Sequence, residues 1–527
     1  MRLGRAGRQA LATGLAMVSG LAASQERGAD GDRCAALIHA AVPGGQVVSA
    51  GIPASDATFA SGIDAIPALS RLPFPGPLCR VALKLSPVPA SDIRAEVWLP
   101  LGEHWNGKLL EAGNGGFGGS LSDPMLTMRH AATRGYAAAG NDMGHRAEDV
   151  LWLLRPDAVI DFEWRADRAT SLAARALVKA FYGKPARLKY FEGCSTGGRE
   201  AMMAARRFPS DYDGIVAGAP AAAYADLLAG GAWMQRLLLA PGARPDASDL
   251  KLVGDAGLAA CDAADGLEDG LIGDPQACHI DIAKLVCTPG QTSGCLTPAK
   301  AAFFAQVYRG PRDQGGREIL PGMPVGGEAI ADGWSHWITR PDARHAFFAR
   351  GAIGGMLLHD PQWTVADFDL ARDLPRLRRG FADMGANTPD LEAFRRNGGR
   401  MIVYHGWADA GINPLLSVGW RDRVVARMGR VRTDQTMALF MIPGVSHCVG
   451  GPGPDSFAML DALDAWRDGG VVPASVQGEW HEGLPFATLL GLPAGLVKAA
   501  RPICRYPARA RWDGKGDPAK AESFTCR

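Results

Sequence analysis

The sequence predicts an α/β fold in which one long insertion divides a mostly parallel sheet covered by helices. Short apolar runs alternate with helical stretches in residues 25–220 and again in residues 399–527, as expected for strands joined by helices. Residues 221–398 are rich in Gly, Pro, Asp and Trp and lose this alternation. Because 527 residues exceed one ordinary core, we expect the insertion to form a second lobe.

The first 24 residues have the layout of a cleaved secretory signal. Arg2, Arg5 and Arg8 precede an apolar run over Leu11–Leu21, and small residues follow up to Ser24. An uncleaved anchor is the alternative, but the run is shorter than the roughly 20 residues that span a bilayer. We therefore predict a secreted or periplasmic protein with no membrane span in the mature chain.

The overall charge of the chain is close to balanced, with Lys+Arg 56 against Asp+Glu 55. This composition gives no basic surface for nucleic acid.

The first part of the predicted core begins with antiparallel strands and continues with alternating elements. The apolar pattern predicts a hairpin over Val81–Pro100, buried strands over Lys108–Glu111 and Tyr136–Gly140, and a helix over Trp164–Tyr182. This order favours a parallel sheet that begins after an antiparallel edge.

A sharp turn between a strand and a helix carries the first candidate catalytic residue. The predicted strand Leu188–Glu192 runs into Gly193–Gly197, which fits the G-x-S-x-G pattern, and Arg199–Phe208 reads as a helix. Flanking glycines permit a tight turn that exposes the hydroxyl of Ser195 above the sheet. The pentapeptide alone is weak evidence, but its position between a strand and a helix strengthens it.

The second part of the core supplies an acid and a base in the order that an α/β-hydrolase requires. The predicted strand Arg400–Tyr404 leads to Asp409, and the strand Met437–Ile442 leads to His447. A serine hydroxyl needs a base to accept its proton, and the base needs an acid to orient it. We therefore predict a catalytic triad of Ser195, Asp409 and His447.

A glycine-rich loop after an earlier strand is suited to an oxyanion hole. Gly113–Gly119 reads GNGGFGG and follows the strand ending near Glu111. Glycine lets the backbone approach a substrate closely and turn an N–H inward. We predict that the amide of Thr196 and the amide of Gly116 form the hole, with Gly115 as the alternative to Gly116.

Ten cysteines in an exported chain indicate disulfides. The sequence contains no CxxC motif, which argues against a zinc finger or a thioredoxin-like redox site. Cys194 precedes the predicted nucleophile and Cys448 follows the predicted base. A bond between them would hold the two catalytic loops together. An ordinary structural disulfide or two unpaired thiols are the alternatives.

With these motifs the chain resembles the tannase and feruloyl esterase family, which includes the enzyme hydrolysing mono(2-hydroxyethyl) terephthalate. The segments that carry the resemblance are Gly193–Arg199 (GCSTGGR), His405–Asp409 (HGWAD), Ser446–Cys448 (SHC) and Ser523–Cys526 (SFTC). It implies an α/β-hydrolase core with a large inserted lid domain, and hydrolysis of aromatic-acid esters such as gallate, ferulate or terephthalate monoesters. The disulfides that it implies are Cys194–Cys448, Cys34–Cys79, Cys261–Cys278, Cys287–Cys295 and Cys504–Cys526.

The resemblance also implies a structural calcium ion in the insertion. The matching stretch, Cys261–Leu271, interleaves acidic residues with glycines, and carboxylate and carbonyl oxygens are the ligands that Ca²⁺ prefers. Its spacing is not that of an EF-hand, and from the residues alone a solvated acidic loop is equally compatible. The implied ligands are Asp262, Asp265 and Asp269 with the carbonyls of Leu267 and Leu271.

Aromatic residues of the insertion are candidates for contacting an aromatic acyl group, although such residues also form cores. They are Trp334, Trp337, Phe347, Phe348 and Trp363. Arg340, Arg344 and Arg350 are candidates for a substrate carboxylate, or are surface charges. The segment Gly354–His359 does not match the carboxylate-binding segment of the terephthalate-monoester enzyme, which leaves that activity open.

Two other functions fit parts of the sequence. A serine peptidase uses the same triad on the same scaffold, and hydrolysis of aryl esters but not peptides would discriminate against it. A calcium-stabilised binding protein needs no working triad, and the presence of Ser195, Asp409 and His447 argues against it.

Overall fold

The computed structural model describes residues 28–63, 67–483 and 487–527. The predicted signal sequence lies outside these residues. The core is a nine-stranded sheet with the strand order β1-β4-β5-β7-β6-β8-β9-β10-β11. Its strands are β1 (Gly45–Gly51), β4 (Leu78–Leu85), β5 (Ile93–Pro100), β6 (Lys108–Ala112), β7 (Ala137–Asn141), β8 (Leu188–Cys194), β9 (Gly214–Gly218), β10 (Arg400–Gly406) and β11 (Met437–Ile442).

The sheet is mixed, with an antiparallel edge and a parallel centre. Strands β1, β4, β5 and β7 pair antiparallel, and the pairs from β7 through β6, β8, β9 and β10 to β11 are parallel. Every predicted strand is present, so the predicted α/β class is confirmed. The carboxyl ends of the parallel strands meet at one edge, where sites form in open α/β sheets.

Helices cover both faces of the sheet, as the two-sided burial of the strands requires. In β10, Ile402 packs on one face of the sheet, and Met401 and Val403 pack on the other. A helix over residues 28–36 precedes the sheet. The later helices of the two core parts are α1 (Ser122–Ala132), α2 (Pro156–Ile160), α3 (Ala166–Tyr182), α4 (Thr196–Arg207), α11 (Leu415–Met428), α12 (Arg430–Thr436) and α13 (Met459–Gly469).

The chain between β9 and β10 contributes no strand to the nine-stranded sheet, although these two strands are neighbours in it. Its helices are α5 (Tyr224–Leu237), α6 (Ala247–Cys261), α7 (Pro298–Arg309), α8 (Arg344–Ala349), α9 (Leu370–Gly380) and α10 (Glu392–Arg396), with π-helical turns at Ser335–Thr339 and Arg350–Leu357. The insertion buries side chains of its own, including Phe303, Phe304 and Trp334.

Small sheets complete the fold. β2 (Thr58–Ala60) pairs with β3 (Arg71–Pro73). Near the C-terminus, β12 (Ser456–Phe457), β13 (Ser475–His481) and β14 (Val497–Cys504) form a second sheet, and β15 (Ala510–Trp512) pairs with β16 (Phe524–Cys526). No sequence pattern predicted these C-terminal strands.

Five disulfides fix the described chain. They join the same pairs that the family resemblance implies: Cys34–Cys79, Cys194–Cys448, Cys261–Cys278, Cys287–Cys295 and Cys504–Cys526. Within residues 28–63, 67–483 and 487–527, no helix has both the length and the apolar character to cross a membrane.

Candidate active site

The turn after β8 holds Ser195 in a backbone conformation that residues other than glycine rarely adopt. Ser195 has φ 64° and ψ −121°, and helix α4 starts at the next residue. A Cβ atom at Gly193 would lie 2.7 Å from the backbone of Gly197, and one at Gly197 would lie 2.9 Å from the carbonyl oxygen of Asn114. Glycine is therefore required at both positions, and the strained turn lifts the serine hydroxyl above the sheet.

His447 lies between Ser195 and Asp409. Its Nε2 is 2.9 Å from Ser195 Oγ, and its Nδ1 is 2.9 Å from Asp409 Oδ2. With Nδ1–H donating to the carboxylate, Nε2 accepts the hydrogen bond of the serine hydroxyl. The structure thus brings together the three predicted triad residues from loops after β8, β10 and β11.

Asp409 is buried and nevertheless stays ionised. Burial alone would raise the pKa of Asp409, but the neighbouring His447 and His405 outweigh it and hold the pKa well below its usual range. The amides of Gly411 and Ile412 donate to Oδ1 at 2.8 and 2.9 Å. His405 Nε2 lies 3.1 Å from Oδ2, so a second histidine helps to fix the carboxylate that orients His447.

The predicted oxyanion loop lies against the nucleophile turn. Thr196 Oγ1 donates to the carbonyl of Gly116 at 2.6 Å, and the Gly197 amide donates to the carbonyl of Asn114 at 2.7 Å. The amide of Gly115 faces the carboxylate of Asp123, and Gly116 has φ +55°. Gly115 and Gly116 both line the cavity with Ser195, so Gly116 stays the predicted second oxyanion donor, with Gly115 as the alternative.

The Cys194–Cys448 disulfide joins the two catalytic loops directly. Its Cα atoms are 5.9 Å apart, and the two cysteines are separated by 254 residues in the chain. Each cysteine is the immediate neighbour of a triad residue. The bond limits the relative movement of Ser195 and His447, whose hydrogen bond depends on a separation of about 3 Å.

A cavity of about 1130 Å³ opens at Ser195 and His447. Three of the predicted aromatic residues line it: Trp337, Phe347 and Phe348. The ring of Trp337 lies 4.8 Å from the His447 ring, and Phe348 lies 6.2 Å from Trp337 in a stacked arrangement. These rings form an apolar wall beside the nucleophile, a surface suited to a flat aromatic group.

Trp334 and Trp363 do not line this cavity, which corrects the prediction for these two residues. Trp334 is 1% exposed and packs against Phe303 and Phe304 in the insertion. Trp363 is buried in another core cluster. Both tryptophans therefore belong to hydrophobic cores, which was the alternative prediction for them.

The three candidate arginines separate in the same way. Arg340 forms an exposed ion pair with Asp342, so it is a surface charge. Arg344 and Arg350 line the cavity, and the Arg344 guanidinium lies 5.3 Å from the centre of the Phe348 ring. Arg344 is therefore the candidate that combines a positive charge with the aromatic wall.

Several polar residues of the cavity were not predicted from the sequence. His130, Glu192, Asp123, His145 and Tyr404 line it, and they come from α1, β8, β10 and the loop after β7. No spacing pattern connects these segments. The position of Glu192 and Tyr404 near the carboxyl ends of parallel strands is the one sequence signal that could have indicated a site there.

The acidic loop that was predicted to bind calcium has the right type of donor atoms, but its carboxylates have other partners. Asp262 accepts hydrogen bonds from the amides of Asp269 and Gly270, and Asp269 forms an ion pair with Arg501 at 2.6 Å. Asp265 and Asp269 accept the amides of Leu267 and Leu271. Among the described residues, no three acidic, His or Cys side chains are grouped as a metal site.

The fold and this geometry define an α/β-hydrolase with a serine, histidine and aspartate in hydrogen-bond contact. Residues 79–527 match the model of the family described as tannase and feruloyl esterase. The chain belongs to this family and is a carboxylic ester hydrolase.

Named relatives and solved structures agree with this assignment. The chain is 32% identical to a probable feruloyl esterase of Arthroderma benhamiae, over 85% of each protein. It is 32% identical to the mono(2-hydroxyethyl) terephthalate hydrolase of Piscinibacter sakaiensis, over 80% of this chain and 79% of that enzyme. The crystal structure of feruloyl esterase B from Aspergillus oryzae superimposes with a TM-score of 0.84 at 26% identity, over 94% of this chain and 100% of that one.

Proposed function

We propose that this protein is an exported serine hydrolase that cleaves esters of aromatic acids through an acyl-enzyme on Ser195. The observation that carries the proposal is the chain of 2.9 Å contacts from Ser195 Oγ through His447 to Asp409 at the wall of an aromatic cavity. The feruloyl esterase and terephthalate monoester hydrolase named among its relatives support an aromatic acyl group.

The chemistry follows from the positions of these atoms. Ser195 Oγ forms a bond to the ester carbonyl carbon while His447 Nε2 takes the hydroxyl proton. The amides of Gly116 and Thr196 stabilise the negative oxygen of the tetrahedral intermediate. When the carbon–oxygen bond to the alcohol breaks, His447 gives its proton to the leaving alcohol. Water then attacks the acyl carbon by the reverse sequence and releases the carboxylic acid and free Ser195.

The insertion supplies the acyl-binding wall. We propose that residues 221–398, which form the insertion, act as a lid domain. Trp337, Phe347 and Phe348 all come from it and meet the nucleophile across the cavity. Gallate, ferulate and terephthalate monoesters present flat rings that suit this wall. Arg344, beside Phe348, would attract the free carboxylate of a terephthalate monoester.

Calcium and export are parts of the same proposal. Calcium bound by Asp262, Asp265, Asp269 and the carbonyls of Leu267 and Leu271 would replace the ion pair of Asp269 with Arg501 and stabilise the insertion. Five disulfides and the N-terminal signal pattern support an oxidising compartment, outside the cell or in the periplasm.

The test is a substrate panel with wild type and Ser195→Ala. The panel contains methyl gallate, methyl ferulate, chlorogenate, a terephthalate monoester and p-nitrophenyl acetate. We expect wild type to cleave at least one aromatic ester, and Ser195→Ala to lose a factor of about 10⁴ or more in kcat. Wild type that hydrolyses p-nitrophenyl acetate but no aromatic ester would contradict the acyl preference, and failure on every ester would contradict the hydrolase itself.

A further inference from the structure

A buried glutamate on the nucleophile helix contacts the predicted oxyanion loop. Glu200 lies in the second turn of α4, and it is 1% exposed. Its Oε2 accepts the backbone N–H of Asn114 at 2.7 Å, across a separation of 86 residues in the chain. Asn114 belongs to the glycine-rich loop Gly113–Gly119 after β6. The glutamate therefore joins α4 to this loop, and its side chain does not line the cavity.

Two further hydrogen bonds join the same two elements. The amide of Gly197 donates to the carbonyl of Asn114 at 2.7 Å. Thr196 Oγ1 donates to the carbonyl of Gly116 at 2.6 Å. Both backbone polar groups of Asn114 are thus bonded to α4, its N–H to Glu200 and its carbonyl to Gly197. Because the nucleophile and the Thr196 amide lie at the start of α4, these bonds set the position of the loop relative to both.

The loop packs directly on the glutamate carboxyl. A Cβ atom at Gly113 would lie 2.9 Å from Glu200 Oε2 and 2.6 Å from the Cα atom of Gly197. Both distances are shorter than Cβ atoms show in real structures, so glycine is needed for the loop to approach α4 this closely. The carboxyl therefore fills the space between helix and loop in addition to accepting the Asn114 N–H.

The same carboxyl is unfavourable for the stability of the fold. Burial raises the pKa of Glu200 well above its ordinary value, and the nearby Asp167 carboxyl raises it further. Within the described residues, Oε1 of Glu200 is buried and has no hydrogen-bond partner. An unsatisfied buried oxygen destabilises the folded state. Local features that oppose stability are expected where a residue serves the function of the protein.

We propose that Glu200 is a positioning residue for the oxyanion hole. By holding the Asn114 amide, it fixes the loop so that the loop amide and the Thr196 amide point at the same oxygen. The inference deepens the proposed function and rests on it, because an oxyanion hole acts only if Ser195 forms a tetrahedral intermediate. Loss of one oxyanion donor lowers kcat by about 10²–10³. A displaced loop should therefore slow the reaction without weakening the binding of the uncharged ester.

The experiment compares wild type, Glu200→Gln and Glu200→Met on an aromatic methyl ester that wild type cleaves. Glutamine keeps a carbonyl oxygen that can accept the Asn114 N–H, whereas methionine has a similar length and no comparable acceptor. We expect Glu200→Met to lower kcat/KM by about 30-fold, and Glu200→Gln to stay within about fivefold of wild type. Phenylboronic acid, which forms a tetrahedral adduct with a reactive serine, should bind Glu200→Met more weakly by a similar factor.

Ester binding and a matched variant separate positioning from folding. In the Ser195→Ala background, where the ester is not turned over, adding Glu200→Met should change the Kd of the ester by less than about threefold. Glu111→Met is the matched control, because Glu111 is also a buried carboxyl and its Oε2 accepts the hydroxyl of Tyr212 at 2.6 Å. This control should have a lower melting temperature and a kcat/KM within about threefold of wild type.

Glu200→Asp keeps the carboxyl but shortens its reach by one methylene. It should lose about as much kcat/KM as Glu200→Met, and it provides the test if that variant does not fold.

Any of four results would overturn the inference. They are full kcat/KM in the folded Met or Asp variant, an ester Kd that weakens as much as the rate falls, Glu200→Gln as slow as Glu200→Met, and an equal loss of kcat/KM in Glu111→Met. In each case, hydrolysis of methyl esters that Ser195→Ala abolishes would leave the proposed function standing. A wild type without any esterase activity would overturn both.

Discussion

At the residue scale, the Asp409 carboxylate is the fixed point of the site. Two backbone amides and two histidine rings surround it, and it is buried. We expect Asp409→Asn to lower kcat by about 10⁴, because an amide stabilises the wrong tautomer of His447. Steady-state kinetics on an aromatic methyl ester measures this change.

A matched control for that variant is Asp455→Asn. Asp455 also contacts a histidine, His481, at 2.9 Å, but neither residue lines the cavity. We expect its kcat to stay within about twofold of wild type, as for changes away from the reacting groups. Equal losses in the two variants would mean that Asp409 supports folding and not the orientation of His447.

Glu192 predicts a dependence of stability on pH. Burial raises its pKa to about 7 in the folded protein against an ordinary value of 4.5, so between these values the unfolded chain ionises first. Stability therefore falls as pH rises through this window, by up to about 3 kcal/mol. We expect Glu192→Gln to remove this loss. The free energy of unfolding of the variant should therefore increase relative to that of wild type from about pH 5 to about pH 7, with no further increase above pH 8. A difference from wild type that does not vary with pH would contradict the assigned burial.

At the element scale, the disulfide between the β8 and β11 loops holds the nucleophile near its base. We expect Cys194→Ala with Cys448→Ala to lower kcat by at least about tenfold and to lower the melting temperature, since a native disulfide contributes about 2–5 kcal/mol. The control removes Cys287–Cys295, which closes a short loop of the insertion. It should reduce stability and leave kcat on methyl esters unchanged, and a kcat loss in both double variants would contradict the positioning role.

The acidic loop after α6 provides the test of calcium. If Ca²⁺ binds there, EDTA should lower the melting temperature of wild type and added Ca²⁺ should restore it. Asp262→Asn should lose this response without loss of the triad geometry. A melting temperature that neither EDTA nor Ca²⁺ changes would exclude calcium as a structural ligand of this loop.

At the scale of the whole molecule, local sequence patterns predicted the strands of the main sheet and the triad, but they missed the C-terminal strands and most of the cavity wall. The strands of the parallel sheet are continuous apolar runs, so their positions were evident, and the order Ser195, Asp409, His447 located the triad. The strand β13 alternates exposed and buried residues over a polar sequence, and it was missed. Trp334 and Trp337 are equally aromatic and three residues apart, but a π-helical turn begins between them and only Trp337 reaches the cavity.

Three polar residues of the cavity were likewise not predictable from local sequence patterns. Glu192, His130 and Tyr404 come from three elements far apart in the chain, and the sheet brings them together. No periodicity marks a buried carboxyl without a partner, because that property depends on the packing of α1 and β10 around it. The catalytic residues can therefore be predicted from sequence motifs, whereas the residues that contact the substrate depend on how the elements pack.

The most direct test of the central claim is covalent labelling of the nucleophile. Wild type is incubated with an alkyl fluorophosphonate, which reacts with activated serines, and the labelled peptide is identified by mass spectrometry. We expect one equivalent of label on Ser195, none in Ser195→Ala, and strongly slowed labelling in Asp409→Asn. Label on another residue, or no label on a folded wild-type protein, would contradict the account of Ser195 as a nucleophile activated by His447 and Asp409.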